Sequence, residues 1–381
     1  MALEPGERDT ADAGYDRRRF LRDALIGAAG VASIGGVSAL LETGAGASTR
    51  GLVEGRAATE GALNVIALPP TWANYGNIIK TFQSKYHITV NSANPDGTSA
   101  QELAAVTSLK GLSKEPDVVD VSPAIAVQGV KDFQPYKVST WSTIPANMKD
   151  AAGRWYGDYY GVISFGANRS VVKHPPVTWA DLKKPEYKGM VSIDGDPRSA
   201  GDALAAVWSA ALANGGSLDN IMPGLKFFAQ LKKLGNWNPV DCYPANISKG
   251  TTPIAIVWDY LNLGYIKQFN GHPHYTVSIP TTGRFGNFYC QAISKYAPHP
   301  KAAKQWEEFI YSDQGQLLYL AGYAHPARYA DLAKRGVIPA SLKKLLPPAS
   351  QYTGVQFPNQ AQTAKATKVV LANWQSMVGG A

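Results

Sequence analysis

The sequence predicts an α/β protein built from two βαβ lobes with a ligand cleft between them. Three observations carry this. Short β-branched runs alternate with helical periodicities in both halves of the chain, from ALNVIALPP (62–70) onward and again from GMVSIDGDP (189–197) onward. Between the halves, WYGDYYGVISFGANRSVV (155–172) reads as one long strand able to cross from one lobe to the other, and RFGNFYCQAISKYAP (284–298) as a second. The strands end in aromatic and polar residues, where open α/β sheets hold their ligands.

The first element lies outside this pattern. DRRRFLRDALIGAAGVASIGGVSALL places Arg17-Arg18-Arg19 before Phe20-Leu21, then a short glycine-rich apolar run, and closes on Ala45-Gly46-Ala47. This reads as a twin-arginine signal peptide over 1–47, removed on export through the twin-arginine translocase, with Asp16 a departure from the usual Ser or Thr. An uncleaved membrane helix would need a longer apolar stretch. The segment holds five arginines and seven acids, so its removal raises the net charge from +8 to +10. The remaining lysines are scattered or paired, as in Lys183-Lys184, which reads as solvated surface and not as a nucleic-acid face. Residues 48–61 are small and polar, a tether.

The strand at 62–70 ends in PTWANY, with Trp72, Asn74 and Tyr75 at its carboxyl end. YGNIIKTFQSKY (75–86) carries Ile78, Ile79, Phe82 and Tyr86 at helical spacing, and ITVNSANP returns as a strand, completing a βαβ unit. TSAQELAAVTSL begins a helix whose capping box reads as Ser99 with Glu102. PDVVDVSP (116–123) is a buried strand that ends at Ser122. Downstream, DGDPRSAGD (194–202) offers Asp194, Asp196 and Arg198 before a helix whose first turn contains Ser199 and Gly201; Arg beside free helix N–H groups makes an anion site, and capping by Ser199 explains the stretch equally well. TTPIAIVWDY is a buried strand that delivers Trp258, Asp259 and Tyr260 to the cleft edge, although Asp259 reads equally as a helix cap. PKAAKQWEEFIYSDQGQ is helical, with Ala303, Trp306, Phe309 and Ile310 on one face. The divisions expected are lobe I over 62–165, lobe II over 166–285, and a return to lobe I with C-terminal helices over 286–381.

Catalytic signatures are missing. Ser164 lies in ISFGA, which lacks the nucleophile elbow, and no GxGxxG or phosphate loop occurs. The six histidines stand apart from any Ser or Cys nucleophile, and His272 and His274 have no adjacent third metal ligand. Cys242 and Cys290 suit an oxidising compartment but allow one bridge at most, and their spacing fixes nothing. No cofactor and no metal are expected. Nine tryptophans and nineteen tyrosines instead suit aromatic boxes that hold ammonium groups beside single carboxylates.

The segments YYGVISFGANRSVV…TWADLKKPEYKGMVSI (159–193) and AISKYAPHPKAAKQWEEFIYSDQGQ (292–316) resemble the extracellular solute-binding proteins of ABC importers, in the group that includes polyamine, ferric-iron, thiamine and phosphonate binders. The resemblance runs along nearly all of the mature chain. It implies the type II periplasmic-binding-protein fold, two lobes hinged about a cleft, a monomer that hands a small solute to importer permease subunits, and no enzyme activity. The pocket likeness runs to spermidine/putrescine binders. It carries Trp72, Tyr75, Asp196 and Trp258 over as ligand contacts; two family carboxylates have become Asn74 and Ser199, and a third, on the returning strand, has become Tyr289. Asp259 stands where the family has a neutral residue. With these losses the pocket suits one ammonium group, or a zwitterion with its anion on Arg198, better than a trication. Ferric-iron binders of this group use adjacent tyrosines near position 258; here Leu261 follows Tyr260, and the pair Tyr159-Tyr160 lies in another segment. An exported enzyme and a surface adhesin on the same scaffold are the remaining alternatives.

Overall fold

The computed structural model describes residues 60–379. The twin-arginine segment and the tether up to residue 59 lie outside the described residues. β1 (Ala62–Ile66), α1 (Tyr75–Tyr86) and β2 (Thr89–Ala93) form the expected unit, with β1 and β2 parallel from Ala62 opposite Thr89. α1 buries Tyr75, Ile78 and Phe82, one stripe at helical spacing. α2 (Ser99–Ser108) then leads to β3 (Val118–Val121). The capping box of α2 sits one residue earlier than the sequence suggests: Thr98 and Gln101 exchange the two bonds. Ser99 and Glu102 have other work, since Ser99 Oγ accepts from Ser122 N at 3.0 Å and Glu102 Oε2 accepts from Asp120 N at 2.9 Å.

β4 (Tyr156–Asn168) is the long crossing strand, and twelve of its thirteen residues are buried. Over Tyr156–Val162 it pairs antiparallel with β8 (Gly286–Ile293), and near Tyr159 and Tyr160 with β9 (His325–Pro326). From Ile163 onward it pairs with β6 (Ile254–Trp258) and β7 (Tyr275–Ser278). β8 also pairs with β3, and β6 runs parallel to β5 (Val191–Ile193), giving the order β3-β8-β4-β6-β5. A sheet shared in this way has two ends, and the helices divide between them. Lobe I gathers β1, β2, β3 and β9 with α1, α2, α8 (Pro300–Ile310) and α9 (Asp313–Ala321). Lobe II gathers β5, β6 and β7 with α4 (Gly201–Ala213), α5 (Met222–Leu234), α6 (Pro244–Lys249) and α7 (Asp259–Phe269).

Aromatic packing fixes each half. Trp306 of α8 meets Phe82 of α1 with ring centroids 5.1 Å apart, and Ala303, Phe309 and Ile310 are buried on the same face. In lobe II, Trp179 packs edge-on against Phe165 and Phe227. The last of the C-terminal helices is α12 (Gln360–Met377). It packs on α3 (Pro123–Gln128) and on α5, with Trp374 against Phe228 and Trp237 of lobe II. The short helices between them, α10 (Tyr329–Lys334) and α11 (Ala340–Lys343), cover lobe I near α9. Cys242 and Cys290 are both buried and unbridged. Among the described residues no helix is long and apolar enough to cross a membrane.

Candidate functional site

A cavity of about 190 Å³ lies between the lobes. Lobe I supplies Trp72 from the β1–α1 turn, Asp96 and Glu102 from around the start of α2, and Asp120 from β3. Lobe II supplies Asp194 from beyond β5, Asp202 from the first turn of α4, Tyr243 beside α6, and Leu261 and Tyr265 from α7. Tyr289 of the crossing strand β8 forms part of the inner wall. The lobes meet beside it: a Cβ added at Gly201 would stand 2.9 Å from Ser122 Cβ and 3.5 Å from Tyr289 Oη, so only glycine permits this approach.

The wall is strongly one-signed. Five carboxylates line it, and no Lys, Arg or His does so among the described residues. Four of the five are buried: Glu102, Asp120, Asp194 and Asp202. Asp120 Oδ2 accepts from Tyr75 Oη at 2.7 Å and from Tyr159 Oη at 3.0 Å, while its Oδ1 has no partner. Asp202 Oδ1 accepts from Ala203 N at 2.8 Å. No donor reaches Asp202 Oδ2, and Asp194 beside it can bond only while one of the two carboxyls holds a proton. Burial first, then the charges of Asp241 and Asp96, push Asp194 up to about 7. Burial and the charge of Asp194 raise Asp202, and burial and the charge of Asp158 raise Asp120. Buried carboxylates without cationic partners are costly, so the site is poised to receive positive charge.

Aromatic rings complete it. Trp72 stands edge-on to Tyr260 and Tyr289, with centroids 5.8 and 5.7 Å away, and its Nε1 donates to Tyr159 Oη at 2.7 Å. Tyr289 stacks on Tyr159 at 5.6 Å. Below them, Tyr75, Tyr319 and Gln291 converge on Asp158 Oδ2 at 3.2, 2.8 and 3.1 Å, a polar layer that fixes the phenols which hold Asp120.

Of the residues singled out from sequence, Trp72, Asp194 and Tyr289 line the cavity. Ser122 is buried where the lobes touch, and Tyr260 packs behind Trp72 without lining the cavity. Tyr75 is fully buried in the layer below. The others sit elsewhere. Asn74 adopts a left-handed conformation before α1 and donates from Nδ2 to Leu318 O at 2.7 Å, fastening α1 to α9. Asp196 and Arg198 form a half-exposed ion pair with each other at 2.5 Å, so Arg198 does not reach the cavity, and Ser199 bonds back to Asp196 O. Trp258 is buried at the end of β6. Asp259 is neither a cap nor a cavity group: Oδ1 accepts from Val162 N at 2.9 Å and Oδ2 from Tyr352 Oη at 2.8 Å, with His325 Nε2 at 3.3 Å.

The sequence reading passed over Asp120, Asp202, Tyr243 and Tyr265, and took Glu102 for a cap partner. Asp120 had a signal, since an acid inside the otherwise apolar strand VVDV must be buried with partners or with a purpose. Asp202 had a weaker one, because an acid in the first turn of a helix is ordinarily explained by the helix dipole. Among the described residues no group of three or more His, Cys, Asp or Glu is arranged to hold a metal ion.

Residues 126–350 match the family model described as bacterial extracellular solute-binding protein. No curated protein sequence matches the chain. Among solved structures, AfuA from Actinobacillus pleuropneumoniae, with exogenous fructose-6-phosphate bound, superposes with a TM-score of 0.67 at 19% identity, over 84% of this chain and 99% of its own. AgtB from A. tumefaciens R10, in complex with agropinic acid, gives 0.65 at 17% identity over 84% and 99%. Iron-bound HitA from Pseudomonas aeruginosa gives 0.62 at 18% identity over 83% and 99%. At these identities the likeness establishes the fold, that of type II periplasmic binding proteins.

Proposed function

The chain belongs to the bacterial extracellular solute-binding protein family, and from that premise we propose that its cavity captures a small organic cation carrying one or more ammonium groups. Family and structural neighbours are binding proteins of ABC transporters, which bind a small solute outside the cytoplasm and deliver it to a permease. The neighbours' ligands, a sugar phosphate, iron and agropinic acid, share no chemistry that would name this one.

One observation carries the reading: among the described residues, five carboxylates and no basic side chain line the cavity. A phosphate or phosphonate would be desolvated among like charges. A zwitterion would need a cationic partner for its anion, and Arg198 is occupied by Asp196. Ferric-iron binders of the resembled group use adjacent tyrosines near position 258, whereas Leu261 follows Tyr260 here. An ammonium group satisfies Asp120 and Asp202, and the faces of Trp72, Tyr243 and Tyr265 suit its methylenes or its charge. Ligand pockets commonly run to about 300–1,000 Å³, so a cavity of about 190 Å³ suits a compact solute.

The lobes close about β3, β4 and β8 in this account. The protein works as a monomer that reaches the envelope by the twin-arginine route, which rests on Arg17-Arg18-Arg19 before Phe20-Leu21. Changing Arg17 and Arg18 to Lys should retain precursor in the cytoplasm, and normal export of that variant would contradict the route.

A thermal-shift panel of alkyl mono- and diamines, amino acids, phosphonates, thiamine and ferric citrate tests the ligand class. A ligand at 100 times its dissociation constant adds about 2.7 kcal/mol. Stabilisation by amines is the expected result, with thiamine separating an aromatic cation from an alkyl one. Stabilisation by phosphonates or ferric citrate alone would overturn it.

A further inference from the structure

The cavity acids are divided between the lobes. Asp96, Glu102 and Asp120 belong to lobe I, Asp194 and Asp202 to lobe II. Closure therefore brings two like-charged walls together, and the field of Asp96 already reaches Asp194 and Tyr243 across the cleft. Two oxygens on opposite walls, Asp120 Oδ1 and Asp202 Oδ2, belong to residues more than nine-tenths buried and have no donor. No cation of the protein itself lines the gap among the described residues.

We propose that these acids form a charge gate: their repulsion across the cleft holds the empty protein ajar, and an entering cation shuts it by cancelling that charge rather than by filling a shape. This rests on the organic-cation reading above. Coulomb repulsion between opposed walls grows as water leaves the gap, so the closed empty state is the one most penalised. The solute's charge supplies the differential free energy between open and closed states that any ligand-driven closure requires.

The groups around the gate reinforce it. Asp194 faces Asp202, Asp241, Cys242, Tyr243 and Tyr265. Asp202 also faces Tyr260 and Tyr289. Asp120 faces Glu102, Asp158, Glu307, Cys290 and the phenols of Tyr75, Tyr159, Tyr260, Tyr289 and Tyr319. These neighbours are acids, phenols and two thiols, so the empty gate loses charge only by taking up protons. Burial pushes Asp194 up to about 7 and raises Glu102, Asp120 and Asp202 well above the ordinary carboxylate range, so proton uptake falls within reach of mildly acidic pH.

Protons or amides should then replace the solute. Small-angle scattering on the ligand-free mature protein at pH 8 gives the open radius of gyration. The proposal predicts a smaller radius for ligand-free wild type at pH 5.5, and for Asp194→Asn with Asp202→Asn at pH 8. The wild-type arm stands on its own if the double variant fails to fold. A radius unchanged from pH 8 to 5.5, or a folded double variant as open as wild type, would overturn the gate. Calorimetry of 1,4-diaminobutane on wild type at pH 8 keeps the two readings apart. Binding without compaction on neutralisation removes the gate and leaves the cation reading, whereas compaction without binding removes the cation reading and leaves the gate.

Discussion

Asp202 and Asp259 occupy the same place in two successive units of lobe II. Each opens a helix beyond a strand, Asp202 in α4 after β5 and Asp259 in α7 after β6, and the two strands are parallel neighbours. Both side chains are buried. Their surroundings differ completely. Asp259 is covered by the C-terminal segment, where Tyr352 donates to it and His325 stacks on Tyr160 at 4.7 Å, and it fastens the amide of Val162 in the crossing strand. Asp202 is left with one oxygen bound by the next residue's amide and the other with no donor. A strand end alone does not make a ligand group; an unsatisfied acceptor at a cavity wall does.

Substitutions can break this comparison. The largest effect should be on Asp202. Asp202→Asn removes one partner of a buried charge pair, and the affinity for an amine that binds wild type should fall by about 2–5 kcal/mol, with melting temperature held or raised because a buried unpaired acid is gone. Asp259→Ala should do the reverse. It strands the Val162 amide and the Tyr352 hydroxyl, lowering stability by about 1–3 kcal/mol, while amine affinity measured on the remaining folded protein changes little. Equal losses of amine affinity in Asp202→Asn and Asp259→Asn would erase the distinction between the two acids.

The fold was legible because its signals are local. β-branched runs bounded by turns, the stripe of Ile78 and Phe82, and the buried face of Ala303, Trp306 and Phe309 need no knowledge of the rest of the chain. The thirteen-residue crossing strand was legible from its length alone. The site was less so, because facing the cavity is a long-range property. Asp196 and Asp202 share the stretch DGDPRSAGD, yet a turn lets Asp196 pair with Arg198 outside, while Asp202, six residues on, lines the cavity beside Asp194. Glu102 looked like a cap because Ser99 precedes it at the right spacing; only the position of β3 reveals that its carboxylate holds Asp120 N. Trp72 and Tyr289 were found through the family resemblance, which placed aromatic and ligand positions without fixing the charge of the pocket.

Asp194 holds a proton part of the time near pH 7 while the cavity is empty, and a bound cation displaces it. Burial and neighbouring charge hold Asp194 at about 7, above its ordinary 3.8. A bound ammonium favours the ionised form, so affinity should weaken as pH falls through about 7, where Asp194 takes up its proton, by up to about tenfold per unit for each proton displaced. Calorimetric titration of 1,4-diaminobutane at pH 7, in phosphate and in Tris, whose ionisation heats differ, reads this directly. The account predicts that the heat changes with buffer in the sense of net proton release; binding with no buffer dependence, or with proton uptake, would contradict it.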